Sequence, residues 1–286
     1  MLPSPFQYLR PESLAAALAE LGQRGDGAMP YAGGTELLLI LKMQLAEYDF
    51  LIDLKRIPEL REITISDRGL QLGAMATHAL ISRNRDVLSA LPALAELCGS
   101  IANPRVRSSG TIGGNLCFAE PTADPPTLFA ALDAELCLAS VRGERSMPAD
   151  RFIKGPLETE RADDEILLRI EVPTGRQATR FVRQLNGHRS LASAAASLPA
   201  GLEPRVWLGG VAERPVPLDT TASHIAGMSD PLDPGELRPL ITEEIAKLDV
   251  AGDGEASAEY RRHIAAVVTL RAVVAAWRAS GREVKS

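Results

Sequence analysis

The chain predicts an α+β fold in three parts, at residues 1–57, 58–175 and 176–286. Strand-length apolar runs alternate with longer helical patterns through the first two parts. Two glycine pairs, Gly33-Gly34 and Gly113-Gly114, each follow an apolar stretch. Beyond Pro173-Thr174-Gly175-Arg176 three strand-like runs come in succession before a set of helices, the order expected of a separate α/β domain. A chain of 286 residues is also too long for one small core.

In the first part, Leu14, Leu18 and Leu21 at helical spacing predict a helix over 13–21, stopped by Gly22. A strand at 29–32, a strongly apolar helix at 36–43 and a strand at 50–53 follow, and Lys55-Arg56-Ile57-Pro58 breaks the pattern. The second part opens with an alternating strand at 69–73 and continues with helices at 77–83, 92–98 and 125–132 and strands at 135–140 and 166–172. Asn103 to Arg107 reads as a loop, and Glu158, Glu160, Asp163 and Asp164 as a solvated turn. The third part predicts strands at 179–185, 191–198 and 205–211. Its last helix, 258–279, places Ile264, Val267, Leu270, Val274 and Trp277 on one face and leaves Arg261, Arg262, Arg271 and Arg278 for the other.

Composition narrows the function. With 45% hydrophobic and 24% charged residues the chain has a globular balance. A formal charge of −6 without a dense basic run argues against a nucleic-acid partner. No apolar stretch approaches the roughly 20 residues of a membrane span, and MLPSPFQYLRPES lacks the basic and apolar regions of a leader, so a cytoplasmic location is expected. Cys98, Cys117 and Cys137 are dispersed, as are the four histidines, which disfavours a structural zinc site or a disulfide framework. His188 and Ser190 share one loop, but no nucleophile, base and orienting group come together in the sequence.

The glycine pairs carry the chemistry. Without Cβ atoms, the turns at Ala32-Gly33-Gly34-Thr35-Glu36 and Thr111-Ile112-Gly113-Gly114-Asn115 can adopt positive φ and converge backbone N–H groups on an anion such as a dinucleotide pyrophosphate. Asp124, followed by Pro125, also suits a helix N-cap.

The flanks make these turns specific. SGTIGGNLCFAEPTADPPTLFAALDAELCLAS from Ser109, YAGGTELL, DDEILLRIEVP from Asp163 and the tail SAEYRRHIAAV together resemble the medium, FAD-binding subunits of the xanthine dehydrogenase and carbon monoxide dehydrogenase (molybdenum hydroxylase) family, over nearly the whole chain. The resemblance implies a two-subdomain FAD-binding fold of the vanillyl-alcohol oxidase or PCMH type, followed by a C-terminal flavoprotein domain with an antiparallel three-stranded sheet and helices. It implies non-covalent FAD, held on one side by Pro30, Tyr31, Ala32, Gly33, Gly34, Thr35, Glu36 and Leu37 and on the other by Thr111, Gly114 and Asn115. It further implies Asp124 at the adenosine ribose, Leu167 near the adenine or ring system, Ile101 and the Arg105/Arg107 segment along the flavin, and Arg183 at the flavin end, where relatives often carry Lys.

Cys117 runs directly into Phe118-Ala119-Glu120, without the cysteine-rich insert of some relatives, so iron–sulfur clusters are expected only in partners. The implied partners are a large molybdopterin-binding subunit and a small 2Fe-2S subunit, as a dimer of heterotrimers, with this chain transferring electrons to or from an external carrier. Two other readings stay open: a self-sufficient FAD-dependent oxidoreductase, and a flavin-stabilised assembly subunit.

Overall fold

The computed structural model describes residues 3–67, 69–187 and 189–285. The first unit contains β1 (Gln7–Leu9), α1 (Leu14–Arg24), β2 (Ala28–Tyr31), α2 (Leu37–Lys42) and β3 (Phe50–Asp53), with a parallel sheet in the order β1-β3-β2. Ser13 caps α1 by accepting from the Ala16 N–H. The sequence expectation that Gly22 stops this helix is not met; Gly22 meets only Val141 at ordinary distance, and the helix ends at Gly25 with φ +56°.

The second unit holds β4 (Ile63–Ser66), β5 (Gly69–Gly73), α3 (His78–Ile81), α4 (Arg85–Ala90), α5 (Pro92–Ser100), α6 (Pro104–Ser109), α7 (Ile112–Phe118), α8 (Asp124–Ala131), β6 (Glu135–Ser140), β7 (Gly143–Pro148), β8 (Ile153–Gly155), β9 (Glu158–Thr159) and β10 (Ile166–Pro173). Its five-stranded antiparallel sheet runs β4-β5-β10-β6-β7. Leu167, Ile170 and Val172 of β10 face one core with Leu70, Leu72, Leu136 and Leu138, while Ile166 and Leu168 face a second core with Leu21, Ile52 and Ile57 of the first unit. Burial on both faces explains the continuous apolar run of β10.

Asn103 to Arg107 is not a loop. Asn103 Oδ1 accepts from the N–H groups of Arg105 and Val106 and, with Pro104 at the first helical position, starts α6. The acidic connector is tied down as well: Asp164 pairs with Arg142, and Glu158 with Lys154.

The third unit comprises β11 (Thr179–Asn186), β12 (Arg189–Ser197), β13 (Arg205–Gly209), β14 (Val216–Pro217), α9 (Asp219–Ala226), α10 (Pro234–Ala246) and α11 (Ala258–Ala279). The three expected strands pair antiparallel, and two-residue β14 extends them at one edge. On α11 the inward face is shifted from the expected stripe: Ala265, Val268, Ala272, Val273 and Ala276 are buried with Trp277, whereas Ile264, Leu270 and Val274 are half-buried. Arg261 lies on the buried side. Its guanidinium donates to Leu191 O (3.0 Å), Gly210 O (3.4 Å) and Asp253 Oδ2 (2.6 Å), so all the charge is met by acceptors.

Candidate functional site

The first glycine turn joins β2 to α2. Pro30 and Tyr31 end β2 in register with Ile52 and Asp53, and Leu37 begins α2. Gly34 has φ +69°, and a Cβ there would lie 2.6 Å from the Tyr31 ring. Hydrogen bonding by the α2 backbone begins with Leu38 N–H to Gly34 O; among the described residues the N–H groups of Gly33, Gly34, Thr35, Glu36 and Leu37 have no acceptor. A succession of unpaired amides is the donor set that an anion receptor requires.

The second motif is built differently. It is the first turn of α7, capped by Thr111, whose hydroxyl accepts from Gly114 N–H at 3.0 Å. Ile112, Gly113 and Asn115 donate their N–H groups to Ala76 O, Ala74 O and Thr111 O. The backbone amides here are therefore committed within the protein, and the free group is the Asn115 side chain, whose Oδ1 is buried without a partner. The glycines serve close packing: a Cβ on Gly113 would stand 2.5 Å from Ala74 Cβ, and one on Gly114 would stand 2.8 Å from Thr111 Oγ1 and 3.7 Å from Ala32 Cβ.

Asp124 opens α8, which is buried over its whole length. Ala123 occupies the N-cap position, so Asp124 is not the cap. Its carboxylate pairs with Arg183 from β11 and accepts the Ser190 hydroxyl of β12 at 2.7 Å, while Arg183 Nη2 donates to Ser100 O at 2.7 Å. Burial pushes the Asp124 carboxyl above the ordinary range, against the opposing influence of Arg183 and Ser190. Ser190 is thus a strand residue committed to Asp124, while His188 lies outside the described residues. The resemblance gives Asp124 the adenosine ribose and Arg183 the flavin end; in the fold their side chains meet directly.

Arg189 Nη1 pairs with Glu120 Oε1 at 2.9 Å, and both charges act on Glu36, whose carboxyl is raised chiefly by burial. The Arg189 side chain, at the start of β12, therefore lies within electrostatic reach of the first glycine turn. Ile101 caps α5 and packs half-buried against the larger core. Arg107 is folded back, with Nη1 donating to Ile101 O (2.8 Å) and Ala102 O (3.1 Å), while Arg105 is exposed. Leu167 is buried in the core, in register with Leu138, beside the irregularity between Leu167 and Arg169.

Cys98, Cys117 and Cys137 stand on α5, α7 and β6, and burial raises their thiols to about 12, 11 and 11. His78 is buried with Nδ1 unpartnered, and its backbone N–H donates to Gly110 O at 3.1 Å. The sequence also concealed a cluster of Tyr8, Asp53 and Lys55 behind the first turn, because Tyr8 lies 45 positions before Asp53 and only a sheet order that puts β3 between β1 and β2 brings it to them. Among the described residues no helix is long and apolar enough to cross a membrane.

Residues 4–175 match the family model described as the FAD binding domain in molybdopterin dehydrogenase. The chain is 32% identical to the carbon monoxide dehydrogenase medium chain of Hydrogenophaga pseudoflava, covering 97% of this chain and 99% of that one. It is 31% identical to the caffeine dehydrogenase subunit beta of Pseudomonas sp. (strain CBB1), covering 96% of each. In structure it matches a chain of carbon monoxide dehydrogenase from H. pseudoflava, solved in a form lacking the Mo-pyranopterin moiety, with a TM-score of 0.91, 31% identity and coverage of 98% of this chain and 99% of that chain. A family match over more than half of the chain, a full-length likeness in sequence and fold, and an open run of amides at the glycine turn agree: the chain belongs to the FAD-binding medium-subunit family of the molybdopterin dehydrogenases.

Proposed function

We propose that this chain is the FAD-binding electron-transfer subunit of a molybdenum hydroxylase-type complex, passing electrons between 2Fe-2S clusters of a small partner and an external acceptor or donor. A large molybdopterin-binding subunit would oxidise the substrate, and the whole would assemble as a cytoplasmic dimer of heterotrimers. The observation that carries this reading is the unpaired amide run from Gly33 to Leu37, on a turn packed directly against Ser109 and Gly110 at the entry to the second glycine motif. FAD supplies the one- and two-electron chemistry; the protein binds and orients it.

In this reading the amides of Gly33 to Leu37 receive the pyrophosphate, with Pro30, Tyr31 and Ala32 shaping the turn. Thr111, Gly114 and Asn115 close the opposite side, and Asn115 Oδ1 accepts from the cofactor. Asp124 offers an acceptor to the adenosine ribose and Arg183 a cation toward the flavin end, while Ile101 and Leu167 supply apolar contact. FAD binding occupies residues 1–57 and 58–175, and residues 176–286 contribute Arg183 from the C-terminal flavoprotein domain. Native purification followed by an absorption spectrum and metal analysis tests the proposal. The complex is expected to contain molybdenum, iron and one acid-releasable FAD per chain, and the separated chain flavin without iron. Stoichiometric iron in the separated chain, or substrate turnover by it alone at the rate of the complex, would overturn the assignment.

A further inference from the structure

We infer that Lys55, held by Asp53 and Tyr8, is a positioning residue that sets the peptide plane of the first glycine turn for the FAD pyrophosphate, a role that rests on the FAD reading above. Lys55 follows β3 in a single tight turn, where its own N–H donates to Asp53 Oδ1 at 3.0 Å. Its ammonium returns to the sheet and finds three acceptors: Asp53 Oδ1 at 3.1 Å, Tyr8 Oη at 3.4 Å and Ala32 O at 3.5 Å. A lysine has three N–H donors, so this set satisfies it. Asp53 is buried and its other oxygen accepts the Tyr8 hydroxyl at 2.6 Å, which fixes the carboxylate from both sides.

The same ammonium lies 3.8 Å from the centroid of the Tyr31 ring, which Tyr8 meets edge-on at 5.7 Å. Tyr31 in turn lies against Gly34, where a Cβ would stand 2.6 Å from the ring. Lys55 therefore touches both halves of the turn, the Ala32 carbonyl directly and Gly34 through Tyr31. In a trans peptide the C=O and the following N–H point in opposite directions. Holding Ala32 O toward Lys55 turns the Gly33 N–H away from it, so that this amide stays free to join the unpaired amides that follow. The ammonium also places a positive charge beside a site that must take a phosphate pair. None of these contacts places Lys55 on the cofactor itself; it acts through the backbone.

The test is FAD titration of the full chain by flavin fluorescence, with thermal melts of the apo form and titrations at two salt concentrations. Lys55→Met is expected to weaken FAD about tenfold, the size of losing one charge-assisted hydrogen bond. Lys55→Gln, which keeps a donor without the charge, is expected to fall between Met and wild type, and Lys55→Arg to recover most of the affinity. The wild-type affinity is expected to fall more steeply with salt than that of Lys55→Gln. If Lys55→Met does not fold, the Gln and Arg variants decide. Equal affinities for wild type and Lys55→Gln at both salt concentrations would overturn the role of Lys55 and leave the FAD reading standing; a wild-type chain that binds no FAD would instead overturn the FAD reading.

Discussion

Gly33 rests backbone to backbone on Ser109: a Cβ on Gly33 would come within 2.0 Å of the Ser109 carbonyl oxygen and 3.0 Å of Gly110 Cα. That contact joins the two glycine motifs, because Ser109 and Gly110 lead directly into the Thr111 cap of α7. The two halves of the site are thereby registered against one another before any cofactor arrives.

Gly33→Ala is expected to force these segments apart, with loss of most FAD and destabilisation of about 1–3 kcal/mol, the usual range for overpacking. Gly34→Val adds a β-branched side chain at φ +69° against the Tyr31 ring and should abolish FAD binding as well. Flavin content after purification and apo melting temperature are the measurements. Full flavin in both variants would show that the turn does not hold the cofactor.

Asn115→Ala separates binding from folding. Its Oδ1 is buried without a partner, so removing it should leave apo stability nearly unchanged, since an unsatisfied acceptor contributes no hydrogen bond. FAD affinity should fall about tenfold on titration. A large drop in apo stability with normal affinity would mean that Asn115 serves the protein and not the cofactor.

Arg183→Met leaves the Asp124 carboxylate buried beside Ser190 with no cation. Breaking a buried pair this way costs about 3–5 kcal/mol, and Asp124→Asn in the same chain should restore part of it. Denaturant unfolding of the single and double variants reads the coupling directly; strictly additive effects would deny it.

His78 gives a pH signature. Burial first, and the Arg107 charge second, lower its imidazole from 6.5 to about 4, so the folded state keeps it neutral. Between those values the unfolded chain binds a proton that the folded chain does not, and stability therefore rises with pH up to about 6.5 and is flat above it for this group. In His78→Gln the slope of unfolding free energy between pH 4 and 6.5 is expected to fall by up to about 1.4 kcal/mol per pH unit. An unchanged slope would assign the pH dependence to other groups.

Local chemistry was the legible part of this chain. The strands at 50–53, 69–73 and 135–140 coincide with the observed elements because apolar runs between turn residues constrain both ends. The glycine turns stood out because their neighbours do. Short edge strands such as β4 and β7 were missed, since their residues are largely exposed and carry no buried period. Arg261 was assigned to solvent because its pairing with two carbonyls and Asp253 depends on β12 and a distant loop, which helical periodicity cannot register. Asp124 reads locally as an N-cap, but Ala123 holds that position, and the pairing of Asp124 with Arg183, 59 positions away, leaves no local signal. The Lys55 cluster needs the parallel order β1-β3-β2 before Tyr8 and Ala32 reach the Asp53 and Lys55 that already adjoin each other.

Helix α8 has no solvent side. One part of it joins the core beneath the five-stranded sheet, together with Ala195 and Trp207 of the next domain, and β12 and β13 cover it from beyond. Gly209 approaches so near that a Cβ there would meet Thr127 Oγ1 at 2.0 Å. Cutting the chain at residue 175 would therefore strip one wall from the helix that carries Asp124 and uncover apolar surface, rather than release a self-standing flavin module. Hybrids between members of this family that exchange the C-terminal domain must match the two sides of α8 together, so the heritable unit of exchange is the seam and not the sequence boundary.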